Sequence, residues 1–424
     1  MDQGNTAFVL ISAALVLLMT PGLAFFYGGM VKAKSVVSMM MLSFGSLGLI
    51  AVLWVLYGYA ISFSNGGTDT FVGIDGWFGI DTSFLGLNAQ VADAAKPAGA
   101  YPTLAFVAFQ ATFAIITVAL ISGAIADRAK FGAWMVFAGL WATIVYFPVA
   151  NWVFNFTLED GKVVDGGWIV YGLGVIDFAG GTAVHINAGA AGLALAIILG
   201  KRFGFSKGIT QPHNVPLTLL GVALLWFGWF GFNAGSELAA DGIASIAFIN
   251  TLAAPAAAML GWIIVEKIKH GKATSIGAGS GAVAGLVAIT PACASLDPVW
   301  AIVLGVIAGA LCALAIDLKF ALGFDDSLDV VGIHLVGGIV GTLFIGIFGN
   351  GVGAAFGFGW HQFAMQALGA GAVLVYSFVL ALIIGFAVEK TIGFRVKAED
   401  RSPASTPWFT VKRLTHSVLT AASI

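Results

Sequence analysis

Apolar residues in this chain come in long runs, and the charged residues fall between them. Nine stretches contain no Asp, Glu, Lys or Arg: 3–31, 35–68, 97–126, 131–158, 178–200, 208–236, 242–265, 273–296 and 298–316. Each has room for one helix of about 20 apolar residues, the length that crosses a hydrocarbon core. A tenth uncharged stretch, 330–388, runs for 59 residues and is interrupted by GNGVGAAFGFGWH at 349–361, so it holds two helices. The pattern predicts an all-α polytopic membrane protein with eleven transmembrane helices.

Composition agrees. Hydrophobic residues make up 59% of the 424 positions and charged residues 9%, against about 25% charged in soluble chains. A soluble enzyme domain is excluded, since the longest polar stretches are the loop near 64–100 and the tail after 390. The net charge of −2 offers nothing to a nucleic acid. The first apolar run follows Asp2 without a basic leader or small-residue cleavage site, and reads as a retained span. Cys293 and Cys312 lie in apolar runs and read as buried small hydrophobes, with no metal site, disulfide framework or cofactor implied.

Charge placement sets the orientation. All but Lys96 and Lys162 of the 19 Lys and Arg residues fall on alternate connections and in the tail. Basic loops stay cytoplasmic, which places the N-terminus outside and the C-terminus inside.

The eleven spans divide into five, five and one. The fifth opens at Asp177 and meets His185 eight residues on; the tenth opens near Asp326 and meets His334 eight residues on. Both histidines precede small residues, INAGAAG and LVGGIVG. With an odd number of spans per half, the two helices run in opposite directions, as in an inverted-topology repeat with sites at the repeat interface. The halves are about 5–205 and 210–350, the last helix about 360–390, and the cytoplasmic tail 393–424. Eight residues at 1.5 Å each set both histidines about 12 Å deep, where two imidazoles can meet. A lone helical histidine is usually a packed side chain. An intramembrane pair at matched depth is costly enough to favour function. Asp177 reads first as a helix N-cap, and it also draws cations to the outer mouth.

Aromatic residues gather at the outer ends. VAFQATF puts Phe109 and Phe113 on one helix face; NWVFNF carries Trp152 and Phe154; WFGWFGFNAGSE carries Trp229 and Phe232 and leads to Ser236. Aromatic belts mark any membrane interface, yet rings beside a hydroxyl also make a cage for a small cation.

Together with FFYGG (25–29), DFAGGTAVHINAG (177–189), QPHN (211–214), ITPACA (289–294) and DVVGIHLVGGIVG (329–341), these stretches resemble the ammonium transporter family, with its methylammonium permeases and Rhesus proteins. The resemblance runs from about residue 6 to about 397. It implies a homotrimer in the cell membrane that imports ammonium, with methylammonium as an analogue. By position it implies recruitment at Phe113, Ser236 and an aromatic of the fourth span, a stacked gate of Phe109 and Phe232, and His185 and His334 as a twin-histidine pair. Trp229, Tyr27 and Phe26 would line the pore, with Asp177 and Thr290 supporting its outer half.

Two departures matter. Where the family has Trp on the fourth span, this chain has Phe154, with Trp152 two residues earlier and Trp168 beyond an insertion. The tail opens as GFRVKAED (393–400) but lacks the family's Gly-Leu-Asp and His-Gly-Glu elements. A PII-type signalling protein is the cytoplasmic partner the resemblance implies, and the divergent tail speaks against it. Rival readings are an ammonium sensor, which the short tail disfavours, and an intramembrane hydrolase built on Ser280, where Ala278 stands in place of the usual glycine.

Overall fold

The computed structural model describes residues 1–66, 68–93, 100–159, 162–202, 204–205 and 211–396. Its helices follow the uncharged runs: α1 (Gln3–Met30), α2 (Ala33–Ser62), α3 (Thr103–Ile125), α4 (Phe131–Phe154), α5 (Gly181–Leu199), α6 (Val215–Glu237) and α7 (Gly242–His270). After these come α8 (Ser275–Ile289), α9 (Pro298–Leu322), α10 (Val331–Phe348) and α11 (His361–Thr391). Ten are long and apolar enough to cross a membrane. The exception is α8, at 15 residues. It stops two residues before Pro291, and the chain continues through turns.

The polar residues that separate the runs also cap the helices. Asp2 accepts from Asn5 N at 2.8 Å, Asn214 from Leu217 N at 2.9 Å, and Asp241 from Ile243 N at 2.9 Å. Each satisfies donors that a helix start leaves unpaired.

Packing uses small residues, as expected where lipid removes the hydrophobic drive for helix association. α1 lies along α6, α7 packs on α8 and α9, and α11 lies along α5 and α10. A Cβ on Gly221 would sit 2.2 Å from Phe26 N, so α1 and α6 touch backbone to backbone. Large apolar side chains on the outer faces, such as Leu56, Ile264 and Ile383, are exposed and suit a lipid surround.

Two expectations change. First, the fold is mostly helical but not all-α. The loop near 64–100 contains an antiparallel hairpin of β1 (Phe71–Ile74) and β2 (Phe78–Asp81), and a second pairs β3 (Phe156–Glu159) with β4 (Lys162–Gly166). Strands this short show no readable alternation. Trp77 and Trp168 stack at 4.8 Å and join the two hairpins.

Second, α5 and α10 begin late. They open at Gly181 and Val331, so His185 and His334 lie near their helix starts rather than 12 Å along them. Much of each eight-residue offset is non-helical. The tail is described only to Val396, where Glu389 accepts from Phe394 N and Arg395 N and Ala129 bridges Arg395. The rest of 393–424 and Lys96 lie outside the described residues.

Candidate functional site

The late start of α5 depends on one carboxylate. Asp177 accepts from Gly180 N at 2.9 Å, Gly181 N at 2.5 Å, Thr182 N at 2.8 Å and Ala183 N at 3.2 Å, and from the Thr182 hydroxyl. Gly180, at φ +120°, makes the turn into the helix. The backbone then runs through a wide π-type turn, Gly181–Ile186, before settling into the α-helical Asn187–Leu199. α10 repeats the device: Asp326 accepts from Val331 N at 2.7 Å, and a π-type turn spans Val331–Leu335. Such turns displace a side chain from regular helical register and are frequent at functional sites. Each of these carries a histidine.

The two imidazoles meet. Nδ1 of His334 lies 3.2 Å from Nδ1 of His185, with ring centroids 5.3 Å apart and planes 25° apart. Both side chains are buried. A Cβ on Gly189 would lie 2.6 Å from Leu335 N, and one on Gly338 would lie 3.2 Å from His185 Cβ. Glycine at these positions lets α5 and α10 approach closely enough for the rings to touch. A hydrogen bond between two Nδ1 atoms needs one donor and one acceptor, so the rings hold opposite tautomers and their Nε2 atoms differ in kind. His185 Nε2 has no partner among the described residues.

An aromatic column leads from this pair toward the face that carries the N-terminus. Trp229 lies nearly parallel to His185 at 5.5 Å, its Nε1 donating to Thr290 Oγ1 at 2.8 Å. Phe232 follows at 6.2 Å from His185. The ring stacked on Phe232 is Phe113, at 4.1 Å and 20°. The expected stack of Phe109 on Phe232 is therefore corrected: Phe109 lies beyond, tilted on Phe113 at 4.9 Å and close to Gly235. Residues four apart share a helix face, and that spacing cannot say which one meets a third ring. Ser236 Oγ donates to Phe232 O at 2.8 Å, leaving its lone pairs to accept.

The two fourth-span aromatics point different ways. Phe154 meets Phe113 edge to face at 6.0 Å. Trp152 turns away, donating from Nε1 to Trp77 O and packing on Trp168 at 5.5 Å and Tyr376 at 4.6 Å. It does not join the column. Below the histidines, Phe26 and Tyr27 pack on each other at 5.7 Å, and the Tyr27 hydroxyl donates to Leu120 O at 3.0 Å.

The chain as a whole is similar to known proteins. The sequence profile of the Ammonium Transporter Family matches residues 7–404. The chain belongs to the ammonium transporter family. An ammonium transporter of Mycobacterium tuberculosis is 56% identical over 421 residues, 95% of this chain and 88% of that one. One of Bacillus subtilis is 44% identical over 410 residues, covering 95% and 96%. Among solved structures, Mep2 of Saccharomyces cerevisiae superposes with a TM-score of 0.82 at 33% identity, covering 94% and 88%. A structure titled Sensor Amt Protein gives 0.84 at 29% identity, covering 94% and 96%. The family is one of transporters, not enzymes, and the chain is a multi-pass membrane protein.

Two fastenings around the ammonium transporter histidines escaped sequence reading. On α11, Gln366 grips Ile176, accepting from its N–H and donating to its carbonyl, each at 2.7 Å. The HQFAMQ start of an otherwise apolar helix was the available signal. Before α10, Asp325 is held by Arg128 at 3.0 Å and by Arg202 at 2.8 Å, with both carboxylate oxygens used. Burial pushes the Asp325 carboxyl up, but the hydrogen bonds and charge of Arg202 and the charge of Arg128 outweigh it and hold the group below its usual range. In the sequence these arginines count only as loop charge.

Proposed function

We propose that the chain carries ammonium inward by recruiting NH4+, removing its proton and passing ammonia along the column, while the histidine pair relays the proton. The observation that carries this reading is the buried Nδ1–Nδ1 contact of 3.2 Å at the end of an aromatic column. Ser236 accepts a hydrogen bond from NH4+, while Phe113, Phe109 and Phe154 offer ring faces. A desolvated cation–π contact is worth about 2 kcal/mol. Potassium resembles ammonium in size and charge but has neither N–H donors nor a removable proton. Selectivity follows from those two differences.

Phe113 and Phe232 act as the gate, since rings stacked at 4.1 Å exclude a hydrated ion until one swings aside. Beyond them the imidazoles, holding opposite tautomers, offer one donor and one acceptor to a passing ammonia. A shared proton makes them titrate as a pair. Eleven spans arranged as an inverted five-plus-five repeat are supported by the packing of α1 on α6 and the meeting of α5 with α10, which join corresponding members of the halves. We place the N-terminus outside, in a plasma-membrane homotrimer.

An ammonium sensor is the second reading, favoured by the likeness to the structure titled Sensor Amt Protein. Flux separates the two. In proteoliposomes, an ammonium jump is expected to evoke a current with internal pH nearly unchanged, because the relayed proton rejoins the ammonia inside, and a potassium jump is expected to evoke no current. Ammonium binding without any flux would replace transport with sensing.

A further inference from the structure

The two carboxylates that open the histidine helices are bonded very differently. Asp177 receives five hydrogen-bond donors and is a saturated cap. Asp326 is 1% exposed, its Oδ2 accepts from Val331 N, and its Oδ1 has no partner among the described residues. A carboxylate that serves only as a cap has no need of an unpaired buried oxygen, which is costly to leave unmade. The nearby cation does not satisfy it: Lys319 Nζ donates to the Asp326 backbone carbonyl at 3.2 Å and to Asp329 Oδ1 at 2.5 Å.

We infer that Asp326 is the proton-exit group of the histidine pair, taking the proton that His334 releases and passing it to water at the face of the basic loops. The inference rests on the proton-relay reading above. Val331, whose N–H binds Asp326, and His334 belong to the same π-type turn, three residues apart, and water carries the proton between ring and carboxylate. In the step an imidazolium N–H bond breaks and its electron pair returns to the nitrogen. A carboxylic O–H bond forms, and that acid then protonates water.

The surroundings suit the task. Burial, then the negative charge of Asp329, raise the Asp326 carboxyl to about 6, against the pull of Lys319 and of the Val331 and Val330 N–H groups. Tyr27 of α1 lies within the field of both aspartates, and Arg128, Arg202 and Asp325 form the adjoining cluster. A group titrating near 6 both accepts and releases a proton at cytoplasmic pH.

The test is Asp326→Asn in proteoliposomes, reading ammonium-evoked current alongside ammonia flux from an internal pH dye. The amide oxygen can still accept from Val331 N, so the helix start is kept. The expected result is a current lowered on the order of tenfold or more together with a rise of internal pH, as ammonia arrives without its proton, and recovery of the current in Asp326→Glu. Wild-type current should fall as the internal pH drops below about 6, where the acceptor is already protonated. Unchanged current in Asp326→Asn, with current lost in His185→Ala/His334→Ala, overturns this inference alone. Current retained in the histidine double variant overturns the relay reading beneath it. If Asp326→Asn fails to assemble, the internal-pH profile of wild type and Asp326→Glu decides: a profile flat through pH 6 contradicts the assignment.

Discussion

The connections that lead into α5 and α10 do the same job with opposite chemistry. Residues 173–180 and 323–330 each delay a helix so that a histidine near its start meets the other. The first is fastened by neutral groups: Gln366 on Ile176, Gln362 Nε2 on Gly174 O at 2.9 Å, and Phe178 N on Pro291 O at 3.1 Å. The second is fastened by charge, through Arg128, Arg202 and Lys319. Buried charges are tolerated in the second because they pair with one another, on the side rich in Lys and Arg, whereas amides serve the first. Matched geometry at two helix starts therefore does not require matched residues, since each connection solves the problem in its own surroundings.

The charged connection is most vulnerable at Arg128. Arg128→Leu leaves Asp325 buried with half its compensation gone, and removing one partner of a buried pair costs about 3–5 kcal/mol. Thermal unfolding in detergent should show the largest loss here, with residues 323–330 opened to hydrogen exchange before residues 173–180. Equal protection of the two connections would contradict the separate fastening.

Gln366→Leu is the matching change on the neutral side. It strands the N–H and carbonyl of Ile176, at about 1–3 kcal/mol per buried unsatisfied group. The same unfolding assay should rank it below Arg128→Leu, with the exchange pattern reversed. Combined, the two changes should add within a few tenths of a kcal/mol, the behaviour of separate sites.

Acid should also act on the two connections unequally. A carboxyl depressed in the folded state, as Asp325 is, contributes stability that is present above its unfolded pKa and lost as pH falls through the folded value. Asp326, raised to about 6, has the opposite sign: it favours the fold below its unfolded value and costs stability as pH rises through about 6. Stability of Asp325→Asn should therefore lose the decline below about pH 4, and Asp326→Asn should gain over wild type at pH 7. The connection into α5, held by amides and a saturated cap, should respond less to pH.

A change that touches neither connection should have the least effect. Phe154→Trp offers a stronger ring face beside Phe113 and should tighten apparent ammonium affinity severalfold, by about 0.5–1 kcal/mol, without altering stability. A weaker affinity would remove Phe154 from the recruitment site.

Much of this architecture was legible in the sequence. Charge gaps located the helices because lipid forbids unpaired charge over a span. Equal spacing from two acids, Asp177 and Asp326, pointed to His185 and His334, because such spacing does not depend on the direction of the helix. The late helix starts were not legible. Eight residues read as two helical turns unless one knows that Asp177 gathers four backbone N–H groups around a glycine at φ +120°. Nor could spacing choose between Phe109 and Phe113, which share a face, or turn Trp152 toward hairpins that alternation had not revealed.

Whether the histidine pair lies in the path of a charge-moving transporter is best decided by solid-supported-membrane current after an ammonium jump, comparing wild type with His185→Ala/His334→Ala and using potassium as control. An ammonium-specific current in wild type that the double variant loses is the expected result. An ammonium current of wild-type size in the double variant would contradict a histidine relay.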